Sequence, residues 1–325
     1  MSTNLNEILI FLEYCYNNQV TKRGRGKPCT YSKASMTLFF IVMMVKKVHA
    51  FQAMEKQAAA HFGLYGFPRG PSRKTLKRWF MLQPGCIQYL MPQVAEICYE
   101  KSPLTFRLNW GFVDKSVFRA LGGVWHKKHM IAGIIPHKSI DTAASWAKSA
   151  YHKWRFGYGL HIICLQNRFP ISACVTTAAT KDYSLLDTLL KFFKHRIGVL
   201  VGDKGYWCLK IIRQLWQNDI MLVTPNLIQS KLKKDRGWVE IYNDLKKTAQ
   251  ARLLYNRRKP SIEPLFSLIK TVFDLQHDNQ LPYKGLEKNN AFLMIATMAI
   301  QLMMYQNFVN NRDLGNTKAF LTAFK

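Results

Sequence analysis

The chain has 325 residues, enough for one large domain or two ordinary ones, and 48% of them are hydrophobic, which excludes wholesale disorder. Lys and Arg number 47 against 19 Asp and Glu, a formal charge of +28 at pH 7. That excess repels itself in a compact state unless a polyanion is bound. It points to nucleic acid, whose phosphates release counterions to Lys and Arg.

The first hundred residues read as helical. Helices are expected over Asn4–Tyr16, over the strongly apolar Ser35–Val48, and over Phe51–Phe62, which is apolar on one face. A basic, Gly-containing loop, TKRGRGKPCTYSKA, separates the first two. In GFPRGPSRKTLKRWF a Pro-Gly turn precedes Ser72, a residue type that caps helices. A short helix bearing Arg73, Lys74, Lys77 and Arg78 is expected to follow, as in a helix-turn-helix reader of DNA; a merely solvated amphipathic helix has the same pattern.

From about Phe106 the texture changes to strands. NWGFVD is a short apolar run closing on Asp114. RFGYGLHIICLQ and FPISACVTTAA alternate as strands, with a hairpin turn at NRFP between them. Asp182–Phe193 has helical periodicity with Asp182 as its N-cap, and RIGVLVGD is a continuous apolar run suited to a central buried strand ending on Asp203. Tyr206–Gln217 is expected to be helical and DIMLVTP to be another strand. Residues 225–258 are basic and without a clean period, and read as a positively charged insertion. Helices over Ser261–Gln276 and Gly285–Phe308 close the chain.

Strand, hairpin, helix, strand, helix, strand is a mixed α/β order. The expected organisation is a helical DNA-binding region over 1–100 and an α/β domain over 101–325. Seven cysteines occur without any CxxC, as expected of reduced thiols in a cytosol-like compartment. The first residues lack a secretory pattern, and the longest apolar stretches are short for a bilayer, so no membrane association is expected.

Two apolar runs thus end on acids, Asp114 and Asp203, and neighbouring strands can bring such residues side by side. A third acid, Glu263, is placed in the first turn of a helix capped by Ser261, with Pro264 beside it and the stripe Ile262, Phe266, Ile269 and Phe273 docking on the core. Three hard oxygen ligands with open positions suit Mg²⁺, and a pair of such ions serves in-line displacement at phosphorus. Carboxylates at strand ends are also ordinary turn residues, and Asp141, Asp182 and Asp187 compete for the role. Of the histidines, His126, His129 and His137 read as a solvated or phosphate-contacting loop, and His161 as an interior residue of a strand.

The segments FVDKS, FGYGLHIICLQNRFPISACVTTAATKDYSLLDTLL, VLVGDKGYW and SIEPLFSLIK occur in the order found in DDE transposases of bacterial insertion sequences. The chain most resembles the group whose third-acid helix carries a Tyr-Arg-Glu-Lys signature, over roughly Phe112 to Phe273. The resemblance implies an RNase H-like core and two Mg²⁺ ions, with Mn²⁺ able to stand in. It further implies cleavage and strand transfer at element ends, with Asp114, Asp203 and Glu263 as catalytic acids and metal ligands. Lys270 matches the signature Lys. The signature Arg falls at Lys259, with Arg257 and Arg258 adjacent, and the signature Tyr falls at Asn256, beside Tyr255. These cations would hold phosphates near the cut. Tyr206 and Trp207 either stack on a flipped base or pack the following helix. The expected partner is double-stranded DNA, both element ends and target, bound by a homodimer at the nucleoid in the bacterial cytoplasm. A nuclease without strand transfer and a non-catalytic DNA-binding derivative are the alternatives.

Overall fold

The run from Lys153 to Cys164 alternates aromatic and aliphatic residues with small ones, and it becomes the strand on which the others assemble. A computed structural model describes residues 5–17, 29–149, 153–229, 236–275 and 278–323. In chain order the N-terminal helices are α1 (Leu5–Asn17), α2 (Lys33–Val45), α3 (Phe51–Ala60) and α4 (Arg73–Lys101). Then come β1 (Trp110–Arg119), α5 (Lys127–Ile131), β2 (Ser145–Ser149), β3 (Lys153–Cys164) and β4 (Pro170–Thr177). They are followed by α6 (Leu186–Leu190), β5 (Val199–Val201), α7 (Leu209–Trp216) and β6 (Met221–Val223). Four helices close the chain: α8 (Arg236–Lys247), α9 (Ala249–Val272), α10 (Leu286–Val309) and α11 (Thr317–Ala323).

The sheet runs β4-β3-β1-β5-β6, with β2 continuing the edge that β4 occupies on β3. β3 is antiparallel to both β1 and β4, whereas β5 and β6 run parallel to β1. This is the mixed sheet with flanking helices of an RNase H-like core. β5 and β6 are only three residues long and largely buried, as short inner strands reached by helical crossovers are.

α4 runs for 29 residues, far beyond the short helix expected, and continues through Pro84 and Pro92. Each interior proline costs roughly 3 kcal/mol. The stripe Leu76, Phe80, Ile87, Leu90, Met91, Val94 and Cys98 is fully buried, and such side chains return about 1.5–3 kcal/mol each, so packing outweighs the breaks. Ser72 caps the helix as expected, its hydroxyl accepting from the Thr75 N–H.

α10 is the axle between the two halves of the molecule. It is long and apolar enough to cross a membrane, but it lies within the protein, packed on α4, α2 and β4. Buried Gln301 on α10 donates to the Met91 carbonyl at 2.9 Å and the Pro170 carbonyl at 2.7 Å, tying helix and sheet together.

Several local expectations change. Ser261 caps nothing: α9 starts at Ala249, capped by Thr248, and Ser261 sits mid-helix with its hydroxyl donating to the Gln166 carbonyl. Glu263 and Pro264 are therefore interior, not first-turn, residues. The stretch 225–258 is not irregular, for α8 and the first turns of α9 occupy most of it; the part over 230–235 lies outside the described residues. Tyr242 explains the order, since its buried ring packs against Trp216 and Trp238 and its hydroxyl donates to the Leu222 carbonyl. Asp182 is not a cap, and its expected helix is a 3₁₀ turn followed by the five-residue α6. The basic loop after α1 lies outside the described residues from 18 to 28, as does Gln276.

Candidate active site

The parallel register of β1 and β5 sets the first two acids. Phe112 stands opposite Val201, and carrying that register two residues further sets Asp203, just past the end of β5, level with Asp114, which lies mid-strand in β1 and not at a strand end as expected. Asp203 then opens a 3₁₀ turn, Lys204–Tyr206, with Oδ1 accepting from the Gly205 N–H at 2.8 Å. This is why an apolar strand closes on a carboxylate here: the turn needs a cap, and the cap faces the neighbouring acid.

Asp182 lies beside Asp203, on the side of the sheet to which Lys115 points. A Cβ added at Gly205 would stand 2.4 Å from Asp182 Oδ2 and 3.0 Å from Asp203 Oδ1, so a larger residue here would require the Asp182 carboxylate to shift. Lys115 Nζ holds Asp182 Oδ1 at 2.5 Å and also reaches the carbonyls of Ala178 and Thr180. The alternation that sends Asp114 to one face sends Lys115 to the other, a signal already present in FVDKS. The fully buried Tyr206 lies on the His161 side of β3, the face to which Lys115 points. Its hydroxyl is held well above its ordinary range by burial and then by Asp182, Asp114 and Asp203. Below it, His161 Nδ1 lies 3.4 Å from Tyr206 Oη and Nε2 lies 3.2 Å from Thr176 Oγ1. Burial, with nearby Lys115, lowers His161 to about 3, so the ring is neutral.

Asp114 is pushed up to about 6, chiefly by burial and further by Asp203, against the pull of Arg258 and the Lys115 N–H. Arg258 Nη1 donates to Asp114 Oδ2 at 2.6 Å, with both side chains over four-fifths buried. Asp182 is also raised, first by burial, with Lys115 opposing and Asp203 adding.

The remaining expected residues are placed as follows. Glu263 is exposed on α9, about 140° around the helix from Arg258, and among the described residues nothing bonds it to the Asp pair. Among those residues no group of three or more His, Cys, Asp or Glu is arranged to hold a metal ion. Arg257 donates to Gln166 Oε1, Lys259 is exposed, and Lys270 lies half-buried over the Phe118 ring, lowered by burial and then by Arg155. Arg73, Lys74, Lys77 and Arg78 are all exposed at the start of α4. With Tyr206 fully buried, no face of its ring is open to a base, and Trp207 packs partly buried on the core. Of the competing acids, Asp187 is exposed and pairs with Lys194. Asp141 is buried, accepting from the Tyr158 hydroxyl and the Gly285 N–H.

No curated protein sequence matches the chain. Among solved structures it is similar to a piggyBac transposase synaptic complex with hairpin DNA, at 10% identity and a TM-score of 0.40, covering 99% of this chain and 76% of that one. It is also similar to a Mos1 transposase paired-end complex with left transposon end, at 9% identity and a TM-score of 0.22, covering 81% and 85%. A mariner Mos1 paired-end complex with Mg has 10% identity and a TM-score of 0.20, covering 92% and 83%. Likenesses this slight carry no weight. The family model described as "Transposase DDE domain" matches residues 113–302, more than half of the chain, and its span takes in Asp114, Asp203 and Glu263. With that match, the chain belongs to the DDE transposase family.

Proposed function

We propose that this transposase is of the bacterial insertion-sequence type with a Tyr-Arg-Glu-Lys-like signature, and that it cuts DNA at element ends and joins the freed 3′ ends to target DNA. The observation that supports this is the β1–β5 register, which, continued two residues, sets Asp203 beside Asp114. Their oxygens are the donor type that Mg²⁺ or Mn²⁺ takes. Asp114 and Asp203, joined by Glu263 from α9, would hold two such ions. When bound, these supply positive charge at the attacking and leaving oxygens of an in-line displacement.

The protein's own groups have separate tasks. Arg258 neutralises Asp114 across the gap to α9, and Lys115 does the same for Asp182. Lys259 and Lys270, with Arg257, would steady strand phosphates beside the acids. The exposed cations at the start of α4 would bind duplex DNA. Two ends must be cut together, so a homodimer on DNA is proposed, working at the nucleoid in the cytoplasm.

The test is a nicking assay on DNA carrying the sequences that flank the coding region, with Mg²⁺ present. Asp203→Ala should reduce cleavage to background while metal-free DNA binding survives. A second reading has its own observation: Arg258 already occupies Asp114, and no three-ligand set is assembled among the described residues. If the unaltered protein binds but never cuts, a non-catalytic DNA-binding derivative is the better account. Cutting without joining would indicate a nuclease.

A further inference from the structure

Beyond the carboxyl end of β6 a cleft of about 360 Å³ opens between the 223–227 segment and the facing surfaces of α8 and α9. Parallel pairing places it beside the catalytic strands, because Val201 stands opposite Val223. Lys246, Lys247 and Arg252 line it, with Thr224, Tyr255 and Asn256, and none of the described lining residues is acidic.

Lys246 is the anomaly. It is 8% exposed, a burial that a lysine rarely tolerates. Its ammonium has three protons, of which one goes to the Asn226 carbonyl and one, at 3.4 Å, to Thr224 Oγ1. The third is left for whatever enters the cleft. Burial lowers the group to about 8, and an anion alongside would restore the charged form. Lys247 pairs with Asp244, three residues back on an exposed surface, and a pair of that kind exchanges partners at little cost. Arg252 is exposed on α9.

The cleft also connects to the acids. Tyr255 lies close enough to Arg258 to influence its guanidinium, and Arg258 is bonded to Asp114. From Arg252 to Arg258 the axis of α9 advances about 9 Å, between two and three nucleotide steps at 3.4 Å.

We infer that this cleft is a phosphodiester subsite, in which Lys246, Lys247 and Arg252 grip the backbone of a DNA strand two to three nucleotides from the position held over Asp114 and Asp203. It rests on the proposed DNA-processing function but not on cleavage itself.

The experiment measures affinity of the full chain for a duplex oligonucleotide, and for an unrelated duplex, in EDTA across a salt series. Arg252→Ala and Lys247→Ala sit on exposed positions and leave the 223–227 segment untouched; Lys246→Met keeps the length of the side chain without its charge. Each should lower the slope of log K against log[salt] by about 0.7–0.9, equally on both sequences. An unchanged slope in Arg252→Ala and Lys247→Ala, with Lys246→Met only less heat-stable, overturns the inference and leaves Lys246 as a tether for the segment. Cleavage is scored separately with Mg²⁺. The subsite can therefore fail while the transposase assignment stands, or survive in a protein that never cuts.

Discussion

Arg258 on α9 and Asp114 on β1, separated by 144 residues of chain, meet at 2.6 Å with their side chains 16% and 19% exposed. The pair clamps α9 to β1. It also sets the protonation of Asp114, since burial pushes the acid up and the guanidinium pulls it back. Arg258→Ala should therefore move the alkaline onset of metal-dependent cleavage upward by about one unit or more, with Arg258→Lys intermediate. A pH–rate profile checks this, and an onset that does not move means the guanidinium has no hold on Asp114.

The stability of the fold should depend on pH through two opposed groups. Asp114 has its folded value raised to about 6, so its contribution is full below the unfolded value near 4 and is lost as pH rises through about 6. His161 has its folded value lowered to about 3, so its contribution is present above the unfolded value of 6.5 and is lost as pH falls through about 3. By pH 3 the His161 loss is on the order of 4 kcal/mol at 1.36 kcal/mol per unit. Urea unfolding from pH 3 to 8 should show His161→Leu with a flatter acid limb than the unaltered protein. An equally steep acid limb would place the titrating groups elsewhere.

Lys115 and Asp182 form an ion pair with side chains only 17% and 16% exposed. Lys115→Met leaves a carboxylate enclosed without its cation and should cost about 3 kcal/mol. Lys115→Met combined with Asp182→Asn should cost less than the sum of the two single changes. Denaturant midpoints for the cycle decide it, and simple additivity would show that the pair is not coupled.

Gly205 passes between two carboxylates. Gly205→Ala should force Asp182 and Asp203 apart, costing about 1–3 kcal/mol of stability as overpacking does. Cleavage should fall much further than metal-free DNA binding. Nicking and binding assays on one preparation measure both, and a variant that cuts normally would mean that the spacing of these acids is not critical.

Much of the sheet was legible in the chain because strand signals are local. RFGYGLHIICLQ, FPISACVTTAA, RIGVLVGD and DIMLVTP each declare a strand by alternation or by a continuous apolar run; β4, β5 and β6 fall within the last three, and β3 begins two residues before the first. β2 was missed because SWAKS carries no such pattern and is a strand only by continuing the edge of β3. The start of α9 was misplaced because Pro260 and Ser261 look like a beginning. Thr248 caps the helix twelve residues before Pro260, and burial of Leu254, Ile262 and Leu265 carries the helix through both prolines.

By itself the sequence determined that Asp114 and Asp203 follow apolar runs, that the chain is strongly basic, and that its motifs are those of a DDE transposase. Those properties are carried by residue type and short-range order. Only the tertiary structure decided that Asp182 pairs with Lys115 beside Asp203, that Arg258 rather than Lys259 faces Asp114, and that Lys246 is buried at the mouth of a cationic cleft. The physical reason is that helix phase and strand register choose which of several neighbouring charges meet, and both are set by distant packing: the depth at which α9 docks on β1, and the side of β6 on which α8 lies.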